Sequence, residues 1–193
     1  MKSDLELALE YQPYIMFDER EPFEVTGIGY TIFRESSQSI SFPKRRITVD
    51  KEKVDFVIEY AVWYDYDIEH LYELEHLWIY VDNNGNVIDA EGSFHGKYLK
   101  MVNPKTGEVN SEEKHHLVVY AQPGKHAFLP EGDLVRLVPN WYEACNKTAG
   151  SAGVLVQDMF SDQIRTNPIL QQKVEQYIKE KYAFTPTLSL RKK

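Results

Sequence analysis

The chain has 193 residues, a hydrophobic fraction of 42% and a formal net charge of −8 at pH 7. This length and apolar content suit a single domain with a sizeable core, which we expect over residues 1–193. The negative charge argues against nucleic acid and against anionic membrane surfaces as partners, because both require a basic patch.

The N-terminal residues, the apolar stretches and the cysteine count indicate the cellular compartment of the protein. Residues 1–9 are acidic and lack the apolar segment of a signal peptide, and no stretch approaches the length of about 18 apolar residues that a transmembrane helix needs. The single cysteine, Cys145, cannot build an internal disulfide framework and fits a reducing compartment. We therefore expect a cytoplasmic protein without a transmembrane segment.

The first part of the chain contains a helix signal and then short strands. Ser3 followed by Glu6 is typical of a capping box and predicts a short helix that ends near Tyr11. Strand-like segments with turn signals between them follow at short intervals as far as residue 138. We predict a mainly β (α+β) fold, an antiparallel β-sandwich whose β core spans residues 11–138. The basic residues 44–46 are predicted to lie on the surface beside a strand.

Two segments in the middle of the chain concentrate acidic side chains at the ends of strands. Residues 54–67 alternate as a strand with Asp65 and Asp67 at its end, and residues 77–81 alternate before the turn at residues 83–86. A strand period of two puts Glu73 and Glu75 on one face and His76 on the other. Residues 68–72 lack a strand pattern and are predicted to form a connection that brings His70 over the two carboxylates.

This arrangement predicts a metal site, because carboxylates a few ångströms apart raise one another's pKa unless a cation compensates them. Oxygen-rich ligands with one imidazole favour Mg²⁺, Ca²⁺ or Mn²⁺, with Zn²⁺ as an alternative. A solvated acidic loop is the other interpretation of these charges. The predicted ligands of the divalent metal ion are His70, Glu73 and Glu75, together with Asp65 or Asp67.

Later segments add two histidines and a change to helical character. His95 lies in a His-Gly turn and His126 follows a Pro-Gly turn, and such turn histidines are the candidates for catalytic residues. Residues 139–183 are predicted to be helical, with helices at 141–146 and 154–164. A third helix is predicted to be capped by Asn167, to begin at Pro168 and to end at Tyr182.

Several of these motifs, over residues 55–130, resemble a known family. An aspartate, the pattern H-x-x-E-x-E, an apolar strand and then Ser93-Phe94-His95-Gly96 resemble the core of the necrosis- and ethylene-inducing peptide-like (NPP1-type) proteins. Their signature is G-H-R-H-D-W-E followed by a His-Gly dipeptide. The chain has Leu74 where that signature has Trp, and it lacks the family's cysteine pair. The resemblance is therefore to the uncharacterised bacterial relatives of that family.

The resemblance implies a β-sandwich with a divalent cation on its surface. His70 corresponds to the signature histidine, Glu73 and Glu75 to its two acids, and Asp65 or Asp67 to an upstream aspartate. His95 corresponds to the histidine of the His-Gly dipeptide.

Three functions are consistent with the sequence. The first is a cation-binding β-sandwich protein that recognises a small molecule, a glycan or a lipid head group, as the resemblance implies. The second is a metal-dependent hydrolase in which His95 or His126 acts as general acid or base. The third is a structural protein whose acids and histidines form a buried hydrogen-bonded network.

Overall fold

The structure is a computed structural model that describes residues 2–192. The predicted mainly β fold with C-terminal helices is confirmed. In chain order the helices and strands are α1 (Asp4–Glu10), β1 (Tyr14–Asp18), β2 (Gly27–Phe33), β3 (Ser37–Gln38), β4 (Arg46–Ile47), β5 (Phe56–Tyr66), β6 (His70–Val81), β7 (Val87–Phe94), β8 (Lys97–Lys100), β9 (Ser111–Glu112), β10 (His116–Ala121), β11 (Phe128–Leu129), α2 (Trp141–Ala144), β12 (Gly153–Val154), α3 (Pro168–Tyr182) and β13 (Leu190–Lys192).

The strands form two main sheets and a small hairpin. The larger sheet has the order β2-β5-β6-β7-β8, with β12 added beside β6, and the smaller has the order β11-β10-β1-β13, with β9 beside β10. Strands β3 and β4 form the hairpin. Most pairs are antiparallel, but β1 runs parallel to β10 and β12 runs parallel to β6. Parallel pairs need long connections, which residues 19–115 and 82–152 supply here.

The main core lies between the facing sheets and follows the predicted strand alternation. Leu77 and Ile79 of β6 are fully buried there together with Phe17 of β1 and Val119 of β10. Trp78 points to the opposite face of the larger sheet and forms a second core under the β3–β4 hairpin. The predicted assignment of the two faces of β6 is therefore confirmed, and this alternation determines which polar residues can meet.

Both predicted helix caps are confirmed. The amide of Glu6 donates to the Ser3 hydroxyl (3.3 Å), and the Ser3 amide donates to the Glu6 carboxylate (2.7 Å), which completes a capping box. At α3 the amide of Leu170 donates to the Asn167 side chain (2.9 Å), and Pro168 is the first helical residue. No helix within residues 2–192 is long and apolar enough to cross a membrane.

Two local predictions are wrong. Residues 68–72 are not an open connection, because β6 begins at His70 and pairs with β5 as far as Tyr66 opposite Leu71. Residues 154–164 do not form an α-helix. The backbone of Val154 instead pairs with β6, and its amide donates to the side chain of Gln171 (2.6 Å). The start of β6 and Val154 are strand residues because β12 adds to β6, an association that local sequence patterns do not contain, and Asp158–Phe160 form a short 3-10 helix.

The buried face of β6 can be tested with one pair of substitutions that remove the same methylene. Ile79→Val should lower the free energy of unfolding by about 0.5–1.5 kcal/mol, because Ile79 is fully buried between the sheets. Ile88→Val on β7 should change it by no more than about 0.5 kcal/mol, because the Ile88 side chain is 43% exposed. Urea denaturation measures both. Equal losses would contradict the assignment of β6 to the centre of the core.

Candidate functional site

Three of the predicted ligands converge at the start of β6. The Nε2 atom of His70 lies 3.6 Å from Oδ1 of Asp67 and 3.4 Å from Oε2 of Glu73. One ligand atom from each of the three residues lies within 4.8 Å of the others. Two ligands of one ion are at most about 5 Å apart, given bond lengths of about 2.0–2.6 Å. The spacing of Asp67, His70 and Glu73 is therefore compatible with a shared cation.

The turn between β5 and β6 positions Asp67 and His70. The amide of Asp67 donates to the carbonyl of His70 (2.8 Å), and the amide of Glu69 donates to Oδ1 of Asp67 (2.8 Å). This aspartate is buried because its own side chain closes the turn, as is typical of aspartate in tight turns.

An unusual backbone conformation at Tyr72 brings Glu73 towards His70. Residues three apart on a regular strand point to opposite faces. Tyr72, which lies between them, has a φ of 65°, in the left-handed region that bulky side chains rarely adopt. This interruption of the alternation lets His70 and Glu73 approach the same point. Such a conformation costs about 1–3 kcal/mol and is concentrated at functional sites.

The orientation of the His70 ring leaves Nε2 directed at the two carboxylates. Nδ1 lies 3.3 Å from the carbonyl of Leu71, which can only accept a hydrogen bond, so Nδ1 is the donor of this contact. Nε2 faces the oxygens of Asp67 and Glu73. A cation between these three atoms would convert mutual repulsion into coordination.

Lys125 supplies a positive charge to this cluster from the opposite sheet. Its ammonium lies 2.9 Å from Oδ1 of Asp67 and 3.1 Å from Oε2 of Glu69. Burial alone would lower the pKa of Lys125, but the charges of Asp67 and Glu69 outweigh burial and raise it. Lys125 was not among the predicted site residues, because it is distant in the chain from the other members and has no local motif.

Glu75 lies beside the cluster but outside the group of three. It is buried and accepts a hydrogen bond from the hydroxyl of Ser93. Burial raises the pKa of Glu75 well above its usual value, and the charge of Glu73 raises it further. The pKa of Glu73 is also raised, first by burial and then by Asp67. Lys125 lowers both pKa values but does not offset burial, so the folded protein disfavours the charged forms of these two carboxyls.

Two buried polar atoms at the site lack a hydrogen-bond partner among the described residues. They are Oδ2 of Asp67 and the hydroxyl of Tyr64. The Tyr64 hydroxyl has a pKa raised well above its usual value, mainly by burial and then by Glu75 and other nearby carboxylates. An unsatisfied buried polar group costs about 1–3 kcal/mol. An unpartnered carboxylate oxygen in a cluster with an imidazole nitrogen fits the donor set of a cation site.

The other predicted site residues lie outside this group. Asp65 is exposed, and the indole NH of Trp63 donates to it (3.0 Å) on the outer face of β5. His95 is exposed, and its Nε2 lies 2.8 Å from the side-chain oxygen of Gln122. His126 is fully buried and stacks on Tyr64, with ring centroids 3.9 Å apart.

A further polar cluster, which the sequence analysis missed, lies on the outer face of the larger sheet. Arg45 was predicted to lie on the surface, but it is buried, forms an ion pair with Glu91 and lies over the ring of Tyr98 (3.7 Å). The prediction is wrong because the β3–β4 hairpin folds over the sheet and covers the guanidinium group. Glu91 also accepts a hydrogen bond from the Tyr80 hydroxyl (2.9 Å), so this carboxylate is well partnered.

His76 belongs to the same outer face. Its Nε2 lies 2.9 Å from the hydroxyl of Ser41, and its ring stacks on Trp78. Burial lowers the pKa of His76 to about 4. The imidazole is therefore neutral at physiological pH and contributes to packing.

The raised pKa of Glu75 predicts a gain of stability on substitution. Glu75→Gln should raise the free energy of unfolding of chelator-treated protein at pH 8, because glutamine cannot acquire the charge that burial disfavours. The folded protein retains the Glu75 proton at a higher pH than the unfolded chain, in which the carboxyl titrates near 4.5. Stability is therefore lost as pH rises through the folded pKa, and glutamine removes that loss.

The measurement is urea denaturation of parent and variant at several pH values from 4 to 8. The advantage of the variant should grow with pH and disappear near pH 4. Glu108→Gln, on an exposed loop residue, serves as the control. A parent more stable than Glu75→Gln at pH 8 would mean that the Glu75 carboxylate is ionised and stabilised by its surroundings.

No protein-family model and no curated protein matches the chain. Among solved structures, the chain is similar to a mutant of NLPPya, with 13% identity, a TM-score of 0.37 and coverage of 82% of this chain and 86% of that chain. It is also similar to NLPPya in complex with mannosamine, with 11% identity, a TM-score of 0.35 and coverage of 83% and 90%, respectively. NLPPya is an NPP1-like protein, the type of protein that the sequence motifs resemble.

Proposed function

We propose that the protein binds a divalent cation through Asp67, His70 and Glu73, and that the cation forms part of a surface that recognises a glycan or a lipid head group. The observation that carries this proposal is the convergence of the three side chains within 4.8 Å, with Oδ2 of Asp67 buried and unpartnered among the described residues. Glu75 lies beside the three ligands, and a bound cation would stabilise its ionised form.

The donor set favours particular ions. Two carboxylates and one imidazole suit Ca²⁺, Mn²⁺ or Mg²⁺, which prefer oxygen ligands, and Zn²⁺ is the alternative for mixed ligands. A cation would stabilise the ionised forms of Glu73 and Glu75, whose pKa values burial raises in the folded protein.

An aromatic pair at the same end of β6 as the three ligands, but on the outer face of the sheet, supports recognition of a sugar-like ligand. Trp63 and Tyr72 stack with ring centroids 5.5 Å apart, and both side chains are partly exposed. Tyr72 directly precedes Glu73 in the chain. Aromatic rings offer flat apolar faces to sugar rings, and sugar hydroxyls are oxygen ligands that Ca²⁺ accepts. The combination of an exposed aromatic surface and a cation suits a hydroxyl-rich ligand.

The two alternative functions have less support. A hydrolase needs a general acid or base that reaches the substrate, but His126 is fully buried and His95 is engaged by Gln122. A purely structural network would satisfy its buried polar atoms, and Asp67 Oδ2 has no hydrogen-bond partner within residues 2–192. We therefore favour binding over catalysis.

The metal site can be tested with two aspartates that lie two residues apart. Protein stripped with a chelator should bind one equivalent of Ca²⁺ or Mn²⁺ in isothermal titration calorimetry. Asp67→Asn should weaken binding by more than tenfold, because it removes a ligand charge while asparagine can still close the turn. Asp65→Asn should leave the affinity within twofold, because Asp65 is exposed on the other face. Unchanged affinity in Asp67→Asn would contradict the proposed site.

Ligand recognition can be tested on a glycan array with Ca²⁺ and with a chelator. We expect binding that is lost on chelation and reduced at least tenfold in Trp63→Ala, with the affinity for Ca²⁺ preserved. Trp141→Ala, which removes another partly exposed tryptophan, should bind like the parent. Glycan binding that persists in the chelator would contradict a role for the cation. Chelator-sensitive turnover of phosphoesters or glycans would favour the hydrolase instead.

A further inference from the structure

Lys125 is an unusual component of a site that is proposed to hold a cation. Its side chain is only 12% exposed, and lysine is rarely buried unless it is paired. Its ammonium contacts Oδ1 of Asp67, which belongs to the group of candidate ligands, and the half-buried carboxylate of Glu69. The protein thus brings a positive charge of its own to the carboxylates.

The position of this charge is fixed by the backbone. Lys125 follows Gly124, which has a φ of 70° and packs directly against Ile68. The amide of Ile68 donates to the carbonyl of Gly124 (2.7 Å), and the amide of Gly124 donates to Glu21 (2.7 Å). The turn that carries Lys125 is therefore attached to the turn that carries Asp67, and the ammonium cannot move far from the cluster without a change in side-chain conformation.

We propose that Lys125 is a resident counter-cation that makes this site selective for divalent over monovalent ions. The inference rests on the proposed function. A Na⁺ or K⁺ ion would only replace one unit charge by another, or would have to bind beside the ammonium. A divalent ion brings twice the charge and can displace the ammonium from Asp67 towards Glu69, whose carboxylate is closer to solvent. Whether the ammonium withdraws or stays, its charge opposes every incoming cation.

The experiment compares four proteins: the parent, Lys125→Met, Lys125→Arg and Lys147→Met. Methionine keeps much of the length and removes the charge, whereas arginine keeps the charge. Lys147 pairs with Glu143 on the surface and controls for the loss of a lysine elsewhere. Ca²⁺ affinity is measured by isothermal titration calorimetry on chelator-treated protein. The Tm is measured in NaCl and in tetramethylammonium chloride at equal ionic strength, because the bulky organic ion cannot enter the site.

We expect Lys125→Met to bind Ca²⁺ at least tenfold more tightly than the parent and to have a higher Tm in NaCl than in tetramethylammonium chloride. Lys125→Arg and Lys147→Met should resemble the parent in both measurements. If Lys125 served only to stabilise the fold, Lys125→Met would not increase the affinity for Ca²⁺ and would not make the Tm higher in NaCl than in tetramethylammonium chloride.

The possible results separate this inference from the proposed function. Binding to the parent with equal or weaker binding to Lys125→Met overturns the inference and leaves the cation site intact. Binding to Lys125→Met but not to the parent overturns both proposals, because the ammonium then excludes divalent ions as well. Absence of binding in both overturns both proposals.

A variant that does not fold in chelator still gives an answer. If Lys125→Met and a fifth protein, Lys125→Gln, are both unfolded, added Ca²⁺ should restore their circular dichroism spectrum, because a cation that binds the folded state stabilises it. Failure of Ca²⁺ to restore the fold, while the parent binds Ca²⁺, overturns the inference.

Discussion

The contact between Ile68 and Gly124 is the constraint on which the geometry of the candidate site depends. Ile68 is fully buried in the β5–β6 turn, and its amide donates to the carbonyl of Gly124 in the turn that precedes β11. A Cβ atom at residue 124 would lie 2.8 Å from the Cβ of Ile68, so only glycine permits this approach. Because the two turns come from opposite sheets, their contact brings Asp67 and Lys125 together.

Buried carboxylates have different surroundings on the two faces of the larger sheet. On the outer face, Glu91 has Arg45, the Tyr80 hydroxyl and Lys100 as partners. At the start of β6, burial raises the pKa of Glu75, and its neighbour Glu73 adds to the effect. The same chain can therefore satisfy a buried carboxylate where stability alone matters. Under the proposed function, the raised pKa values in this cluster are a loss of stability associated with cation binding.

Much of the fold could be predicted because its signals are local. The cap at Asn167 and the capping box of Ser3 depend on residues within one turn of each other, and the faces of β6 follow from alternation alone. The same alternation puts Glu73 and Glu75 on one face of β6, opposite Tyr64 and Val62 of β5.

The remaining features depend on contacts between distant residues. Lys125 reaches the site because two turns dock, Arg45 is buried because a hairpin folds over it, and β12 is a strand because β6 offers it a partner. The left-handed conformation of Tyr72 has no signal in the sequence, since glycine or asparagine is the usual residue there. Asp65 and Asp67 could not be distinguished by alternation, because both lie on the same face of a regular strand. The turn that begins at Asp67 separates them.

The parallel pairing of β12 with β6 gives the C-terminal part of the chain a role at the site. Gly153 lies opposite His70 and Val154 opposite Leu71, and the side chain of Gln171 on α3 exchanges hydrogen bonds with the backbone of Val154. The first residues of β6 are thus an interior strand only while β12 and α3 are attached. Detachment of the C-terminal segment would expose the backbone of His70 and release the ligand geometry in the same opening event. The start of β6 and α3 would then open as one cooperative unit, which hydrogen exchange would detect. A partner that binds α3 would reduce motion at the site without contacting it.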